Sequence, residues 1–208
     1  KTVTIGMSQE PPTLGYALGN AYVISIVKAA LGNQPTLTRR NDQNVWEPWL
    51  AESVPTLENG GATYVGEGAD KRLQVTFKLR KDVKWSDGKQ LTASDFKFGL
   101  DLILNPDYPV PGRDTQQKIA ALETPDDYTL VVNFMTEAEA KDAAANGRGG
   151  LAAKSFADFA NQSGPVLDPG YYKDYLAAFP KHVLQPLIDK VRSEEHTSEL
   201  QSLAYLVC

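Results

Sequence analysis

The stretch Arg72-Leu73-Gln74-Val75-Thr76-Phe77-Lys78-Leu79-Arg80-Lys81-Asp82-Val83-Lys84-Trp85 decides the fold class. Leu73, Val75, Phe77 and Leu79 alternate with Arg72, Gln74, Thr76, Lys78 and Arg80, and Val83 and Trp85 keep the same parity. A period of two puts one residue set on each face of a pleated strand. The pattern therefore predicts a strand over 72–83 in an antiparallel sheet with one dry face and one wet, cationic face. Ser86-Asp87-Gly88 follows as a turn, because glycine accepts the positive φ that other residues resist. Thr92 to Asp95 then reads as a helix start, with Asp95 reaching back to a Thr92 cap. Phe96, Leu100 and Ile103 form the apolar stripe of that helix, and Asn105-Pro106 ends it.

Outward from this core, Tyr128, Leu130, Val132 and Phe134 share one face and predict a second strand over 128–134, after a turn at Pro125-Asp126-Asp127. The dry faces of the two strands are expected in one antiparallel sheet covered by the helix over 93–104, since an uncovered face would leave Phe77, Leu79, Val132 and Phe134 in water. Residues 137–146 have helix-forming composition, and Gly147-Arg148-Gly149-Gly150 breaks the run. Val3, Ile5 and Met7 mark a first strand ended by Pro11-Pro12. Val23, Ile26, Val27 and Ala30 make a helical stripe that stops at Gly32-Asn33. Asn41 to Asn44 reads as a polar turn, followed by a short apolar anchor of Trp46, Trp49 and Leu50. A short helix is expected over 154–160, a loop bounded by Gly164-Pro165 and Asp168-Pro169-Gly170, and a last amphipathic turn or two over 171–179. Helices and strands are mixed without strict alternation, which makes the chain α+β.

The 208 residues are 42% apolar and 23% charged, which excludes collagen, a disordered tail and a disulfide-stapled miniprotein. No window approaches the roughly 18–20 apolar residues of a spanning helix. With 21 Lys and Arg against 26 Asp and Glu, the chain lacks the basic excess of a nucleic-acid binder. The last 17 residues, 192–208, read RSEEHTSELQSLAYLVC and resemble a translated sequencing-library adapter. They are set aside from fold reasoning and expected to be exposed or poorly ordered. Setting aside Arg192, Glu194, Glu195 and Glu199 leaves 20 basic residues against 23 acidic ones, and Cys208, the sole cysteine, goes as well. On this reading the chain is a fragment that stops where the read stopped, starting at Lys1 after a removed signal or inside the gene.

Little of the sequence suggests catalysis. His182 is the one histidine before residue 192, and no Gly-x-Ser-x-Gly elbow accompanies it, so a structural or surface role is expected. One histidine without cysteine also argues against a zinc site. The Asn41 to Asn44 cluster lacks the glycine and bidentate glutamate of a calcium loop and reads as a solvated turn. Gly147 to Gly150 lacks the Gly-Lys-Ser/Thr ending of a phosphate loop. The expectation is a protein without catalysis and without a cofactor or metal.

The ordered motifs carry more. Ser8-Gln9-Glu10-Pro11-Pro12-Thr13-Leu14 comes first, and Leu50-Ala51-Glu52-Ser53 follows Trp46-Glu47-Pro48. The run from Phe77 to Lys89 joins Leu91-Thr92-Ala93-Ser94-Asp95-Phe96; Thr124 to Leu130 and Phe179-Pro180-Lys181-His182-Val183-Leu184 complete the set. Together they resemble family 5 of the extracellular solute-binding proteins, the oligopeptide- and dipeptide-binding receptors of ABC importers, from Lys1 to about Leu187. The resemblance implies the N-terminal part of a bilobed, type II periplasmic-binding-protein-like fold that closes on its ligand around a hinge. It implies the start of the first lobe over 1–35, a smaller inserted subdomain over 36–169 and a return into the first lobe over 170–191. It also implies that Trp85 to Gly88 and Thr92 to Asp95 are fold signatures.

The function implied is capture of peptides outside the cytoplasmic membrane by a monomer. The receptor would be periplasmic, or extracellular and lipid-anchored, and would deliver its ligand to ABC permease subunits. The missing second lobe would supply many ligand contacts. Asn20 and Tyr22 are the polar and aromatic groups nearest the expected cleft, with a helix-cap and core role as the alternative. Two departures stand out: Ala29 to Pro35 replaces a common aromatic-glycine segment, and residues 60–70 read as a polar surface extension. Rival readings are another solute on the same scaffold (nickel, haem or an oligosaccharide), the ligand-sensing half of a transcription regulator, and a secreted hydrolase.

Overall fold

The structure, a computed structural model, describes residues 36–105, 116–145 and 176–193. The chain enters through a hairpin of β1 (Thr38–Arg40) and β2 (Trp46–Pro48). A four-stranded antiparallel sheet follows, built from β3 (Ala62–Val65), β4 (Arg72–Lys78), β5 (Ile119–Asp126) and β6 (Thr129–Phe134) in the order β3-β4-β6-β5. Three α-helices are described, α1 (Ala93–Leu104), α2 (Glu137–Ala145) and α3 (Lys181–Ser193), with short 3-10 turns at Gly68–Asp70 and Gln116–Lys118. Among the described residues no helix is long and apolar enough to cross a membrane.

The alternation in β4 is realised residue by residue: Leu73, Val75 and Phe77 are buried while their neighbours are not. β4 pairs antiparallel with β6, placing Phe77 opposite Leu130 and Val75 opposite Val132. Phe96 and Leu100 of α1 join these residues and Phe134 in one continuous core, so the expected two-strand sheet under its helix is present. Each fully buried side chain of this size contributes about 1.5–3 kcal/mol. The ladder ends earlier than expected, at Lys78, and Leu79 makes a single bridge with Ala51. Arg80 N–H bonds the Leu50 carbonyl instead of a sheet neighbour, at 2.9 Å. Val83 and Trp85 keep their parity in packing, half-buried against the core.

The wet face is not a free cationic surface. Arg72 pairs with Glu139 at 2.9 Å, and Lys78 donates to Thr129 Oγ1 at 2.7 Å. Gln74 Nε2 donates to Asn133 Oδ1 and Asn133 Nδ2 to Glu123 Oε1, a polar ladder across three strands. The register that puts Gln74 opposite Asn133 makes this ladder possible.

Three elements depart from the sequence expectation. β5 carries register shifts between Ile119 and Ala121 and between Glu123 and Asp126, so its buried Ile119 and Leu122 are not an even number apart. A bulged strand has no clean period of two, which hides it from pattern reading. β3 lies within the expected polar extension; it is an edge strand with only Ala62 buried. Of the helical turn expected over 171–179, residues 176–179 are not helical. Pro180 disfavours helix in the residue before it, and Phe179 N–H is taken by the Asp95 carbonyl at 3.2 Å. The helix begins after the proline, as α3, and continues past Pro186.

The expectations for the strand over 2–7, the helix over 20–31, the short helix over 154–160 and the Gly147 to Gly150 break fall outside the described residues, as do residues 194–208 of the tail; Arg192 and Ser193, its first two residues, end α3. The helix at 137–146 is present as α2, and the Asn105-Pro106 stop is met by an α1 that ends at Leu104.

Candidate functional site

Local chemistry first shapes the loop between β4 and α1. Gly88 adopts φ 86°, the left-handed backbone the Ser86-Asp87-Gly88 turn requires. Asp87 Oδ1 accepts the Lys89 N–H at 3.1 Å, closing the turn. Thr92, in extended backbone, starts α1, and the Asp95 carboxylate accepts the Thr92 N–H at 3.0 Å in the capping-box manner. These are the positions that the sequence marks as a turn and a cap.

What the sequence did not show is how many chain segments meet at Asp95. Its Oδ2 also accepts the Trp85 indole N–H at 3.2 Å, while Oδ1 accepts the backbone N–H of Lys181 at 3.2 Å. Asp95 is buried, and one carboxylate thus binds the loop before α1, the start of α1 and the first turn of α3. Buried carboxylates are tolerable when their lone pairs are filled in this way. A half-buried tryptophan calls for an N–H partner, and that requirement was the available clue.

Above this node, His182 Nε2 lies 2.8 Å from Asp87 Oδ2, and the imidazole meets the Trp85 ring edge-on with centroids 6.4 Å apart. The Lys89 N–H, and after it the His182 ring, hold the Asp87 carboxyl below the ordinary carboxylate value. An ionised carboxylate only accepts hydrogen bonds, so Nε2 is the donor. His182 therefore ties α3 to the turn, the structural role expected of it. Beside the pair lies an open depression of about 400 Å³ lined by Lys89, Gln90, Thr92, Ser94, Lys181 and Gln185. Its principal carboxylate, Asp95, is already committed to backbone and indole donors. Below the junction, Phe98, Leu184 and Ile188 form a small apolar cluster that seats α3 on α1.

The Asn41 to Asn44 turn is likewise self-satisfied: Asn41 Oδ1 accepts the N–H groups of Gln43 and Val45 at 3.0 and 2.9 Å. Arg39 stacks on Trp49 and Arg40 on Trp46, fixing the β1–β2 hairpin. Lys118, buried in the 3-10 turn just before β5, was not singled out from sequence, and burial lowers its amine to about 8. Asn20 and Tyr22 lie outside the described residues. Among the described residues no group of three or more His, Cys, Asp and Glu side chains could hold a metal ion.

The chain is similar to known proteins in sequence and in fold. Over 50 residues, 24% of this chain, it is 48% identical to the oligopeptide-binding protein OppA of Lactococcus lactis subsp. lactis, of which it covers 8%. Over 82 residues it is 32% identical to the oligopeptide-binding protein AppA of Bacillus subtilis, covering 39% of this chain and 13% of that protein. In fold it matches the oligopeptide binding protein of Thermus thermophilus, solved with a pentapeptide, at a TM-score of 0.67 and 22% identity. That likeness covers 98% of this chain and 30% of the other. The Haemophilus influenzae OppA complex with the peptide RPPGFSPFR matches at a TM-score of 0.52 and 19% identity, over 88% of this chain and 31% of that one. The chain thus spans less than a third of the length of these relatives, and the fold is part of a larger binding-protein architecture. Residues 45–186 match the family described as bacterial extracellular solute-binding proteins, family 5 Middle, a class defined by binding and not by catalysis. The sheet, its covering helix, the Asp95 junction and the return through Lys181 all lie in that span, and the chain belongs to the family 5 bacterial extracellular solute-binding proteins.

Proposed function

We propose that this chain is the N-terminal part of a substrate-binding receptor that captures peptides outside the cytoplasmic membrane for an ABC importer. The observation that carries the reading is the family match over residues 45–186, joined to relatives named for oligopeptide binding. In this reading residues 1–35 begin the first lobe, 36–169 form the inserted subdomain and 170–191 return to the first lobe. Residues 192–208 are foreign to the receptor. The receptor acts as a monomer, in the periplasm or held outside the membrane by a lipid anchor, and passes its ligand to permease subunits. It needs no cofactor and performs no chemistry on the ligand.

The described residues form a rigid support in this scheme, with their polar groups turned to one another. Ligand would lie between two lobes and gain affinity from burial on both sides. Asn20 and Tyr22 would contribute from one wall. Calorimetry against a mixed di- to pentapeptide library tests this on two proteins: the 208-residue chain, and a longer version carrying the second lobe. The chain alone should bind at millimolar strength or weaker, at most about 4 kcal/mol. The longer protein should bind far more tightly and lose affinity on Tyr22→Ala. Micromolar binding by the chain alone would place the site within these residues and overturn the two-lobe account. A longer protein indifferent to peptides would overturn the peptide assignment.

A further inference from the structure

The loop that leads into β3 is held from within by Asn59. Its Oδ1 accepts the N–H groups of Thr56 and Gly61, both at 2.9 Å, and its Nδ2 donates to the Val54 carbonyl at 2.8 Å. Thr56 Oγ1 accepts the Asn59 N–H at 3.2 Å in return. A side-chain amide accepts and donates at once, whereas an ionised carboxylate only accepts. The loop is also tied to the sheet. Ala62 N–H bonds the Thr56 carbonyl at 2.9 Å, and Thr76 N–H of β4 bonds the Gly61 carbonyl at 2.7 Å. Asn59 thus secures the entry to an edge strand only four residues long.

The residue after it is Gly60, at φ 72°, a backbone conformation that other residues adopt only with strain. Glycine has no Cβ to shield its nitrogen from the preceding side chain, so Asn-Gly is the pair at which asparagine, a thermolabile residue, is most readily lost. Both residues are exposed to water and base. In the reaction the Gly60 nitrogen gives its proton to base and bonds to Asn59 Cγ. The Cγ–Nδ2 bond breaks, and Nδ2 leaves as ammonia with a proton from water. Water then opens the cyclic imide at either carbonyl, giving aspartate or isoaspartate.

The native loop opposes both halves of this step. The Gly60 N–H is engaged by the Leu57 carbonyl at 3.3 Å, and the leaving nitrogen by the Val54 carbonyl. The reaction therefore passes through a local opening of the loop. We propose that Asn59 is a site of spontaneous deamidation that the native loop holds in check, and that its conversion loosens β3 from the sheet. Aspartate lacks the donor for Val54 and sets a second negative charge beside Glu58. Isoaspartate lengthens the backbone by a methylene and shifts the Gly61 carbonyl from Thr76. The change needs no enzyme and does not depend on what the protein binds.

The full chain is incubated in mildly alkaline buffer with and without denaturing urea, and the peptide containing Asn59 is followed by mass spectrometry, with aspartate and isoaspartate separated by chromatography. Conversion should be several-fold slower in the folded chain than in urea. Thr56→Ala removes the hydroxyl that holds the Asn59 N–H, so it should speed conversion in buffer and leave the rate in urea unchanged. Asn59→Asp, read by hydrogen–deuterium exchange, should speed exchange at Ala62 and Thr76 several-fold and leave β6 unchanged. No conversion in urea overturns the site. Equal rates in buffer and urea, or a Thr56→Ala chain no faster than the unmodified one, overturn the protection. Unaltered exchange in Asn59→Asp overturns the loosening of β3.

Discussion

The Asp95 carboxylate accepts the backbone N–H of Lys181 at 3.2 Å, and the Asp95 carbonyl accepts that of Phe179 at the same distance. Two residues 86 apart in sequence are thereby fastened at the first turns of two helices. The helix ends meet there with their unsatisfied N–H groups, and a negative group between them answers both. The junction explains why a capping residue is buried at all: it caps one helix and receives another.

Replacing Asp95 with Ala should be costly, because it strands the N–H groups of Thr92, Trp85 and Lys181. A stranded buried donor costs about 1–3 kcal/mol. Some of the three will recover water, so a total loss of about 2–4 kcal/mol is expected. Asp95→Asn, which keeps one acceptor oxygen, should lose less. Urea denaturation of the three proteins checks both the size and the order.

Gly99 sits in the middle of α1, where Ala would ordinarily stabilise by about 1 kcal/mol. Here the sign should reverse. A Cβ at this position would lie 2.3 Å from the Ala177 carbonyl oxygen and 2.7 Å from Phe179 Cδ2. The returning chain would have to move away, so Gly99→Ala should destabilise by about 1–3 kcal/mol. A melting temperature raised by the substitution would contradict the close approach.

Phe77 is 1% exposed in the centre of β4. Phe77→Ala removes its transfer energy and leaves a cavity under α1, for a loss of about 3–5 kcal/mol. A thermal melt unchanged by this substitution would refute the covered dry face.

Lys118 should impose an alkaline signature. Its folded value is about 8 against an ordinary 10.5, because burial penalises the charged form. Between those values the unfolded chain binds more protons than the folded one, so this group makes stability rise with pH from about 8 to about 10.5. Lys118→Met should flatten that rise, measured as the difference in urea midpoint between about pH 7.5 and about pH 9.5. Equal slopes in the two proteins would show that the amine is not held in this way.

The sequence by itself determined the central half of the fold. In β4 and β6 nearly every residue on one parity is apolar, and a face of that kind has only one stable use. The same holds for Thr92 to Asp95 and for Ser86 to Gly88, whose signals act over three or four residues and need no distant partner. The ordered motifs also carried the family, which the match over residues 45–186 bears out. The candidate ligand contacts Asn20 and Tyr22 rested on that resemblance alone, since the second wall of a cleft leaves no pattern in the first.

Only the tertiary structure decided the rest. β5 became legible through its partner β6, because two register shifts break its own period. β3 is a strand because β4 offers it an edge, not because its residues demand one. α3 carries Pro186, which reads locally as a breaker, yet Leu184 and Ile188 are seated on Phe98 and hold the helix together. The junctions of Asp95 with Lys181 and of Asp87 with His182 are set by the meeting of two distant segments. Local rules act on neighbours along the chain, whereas these bonds depend on where packing brings residues 86 and 95 positions apart.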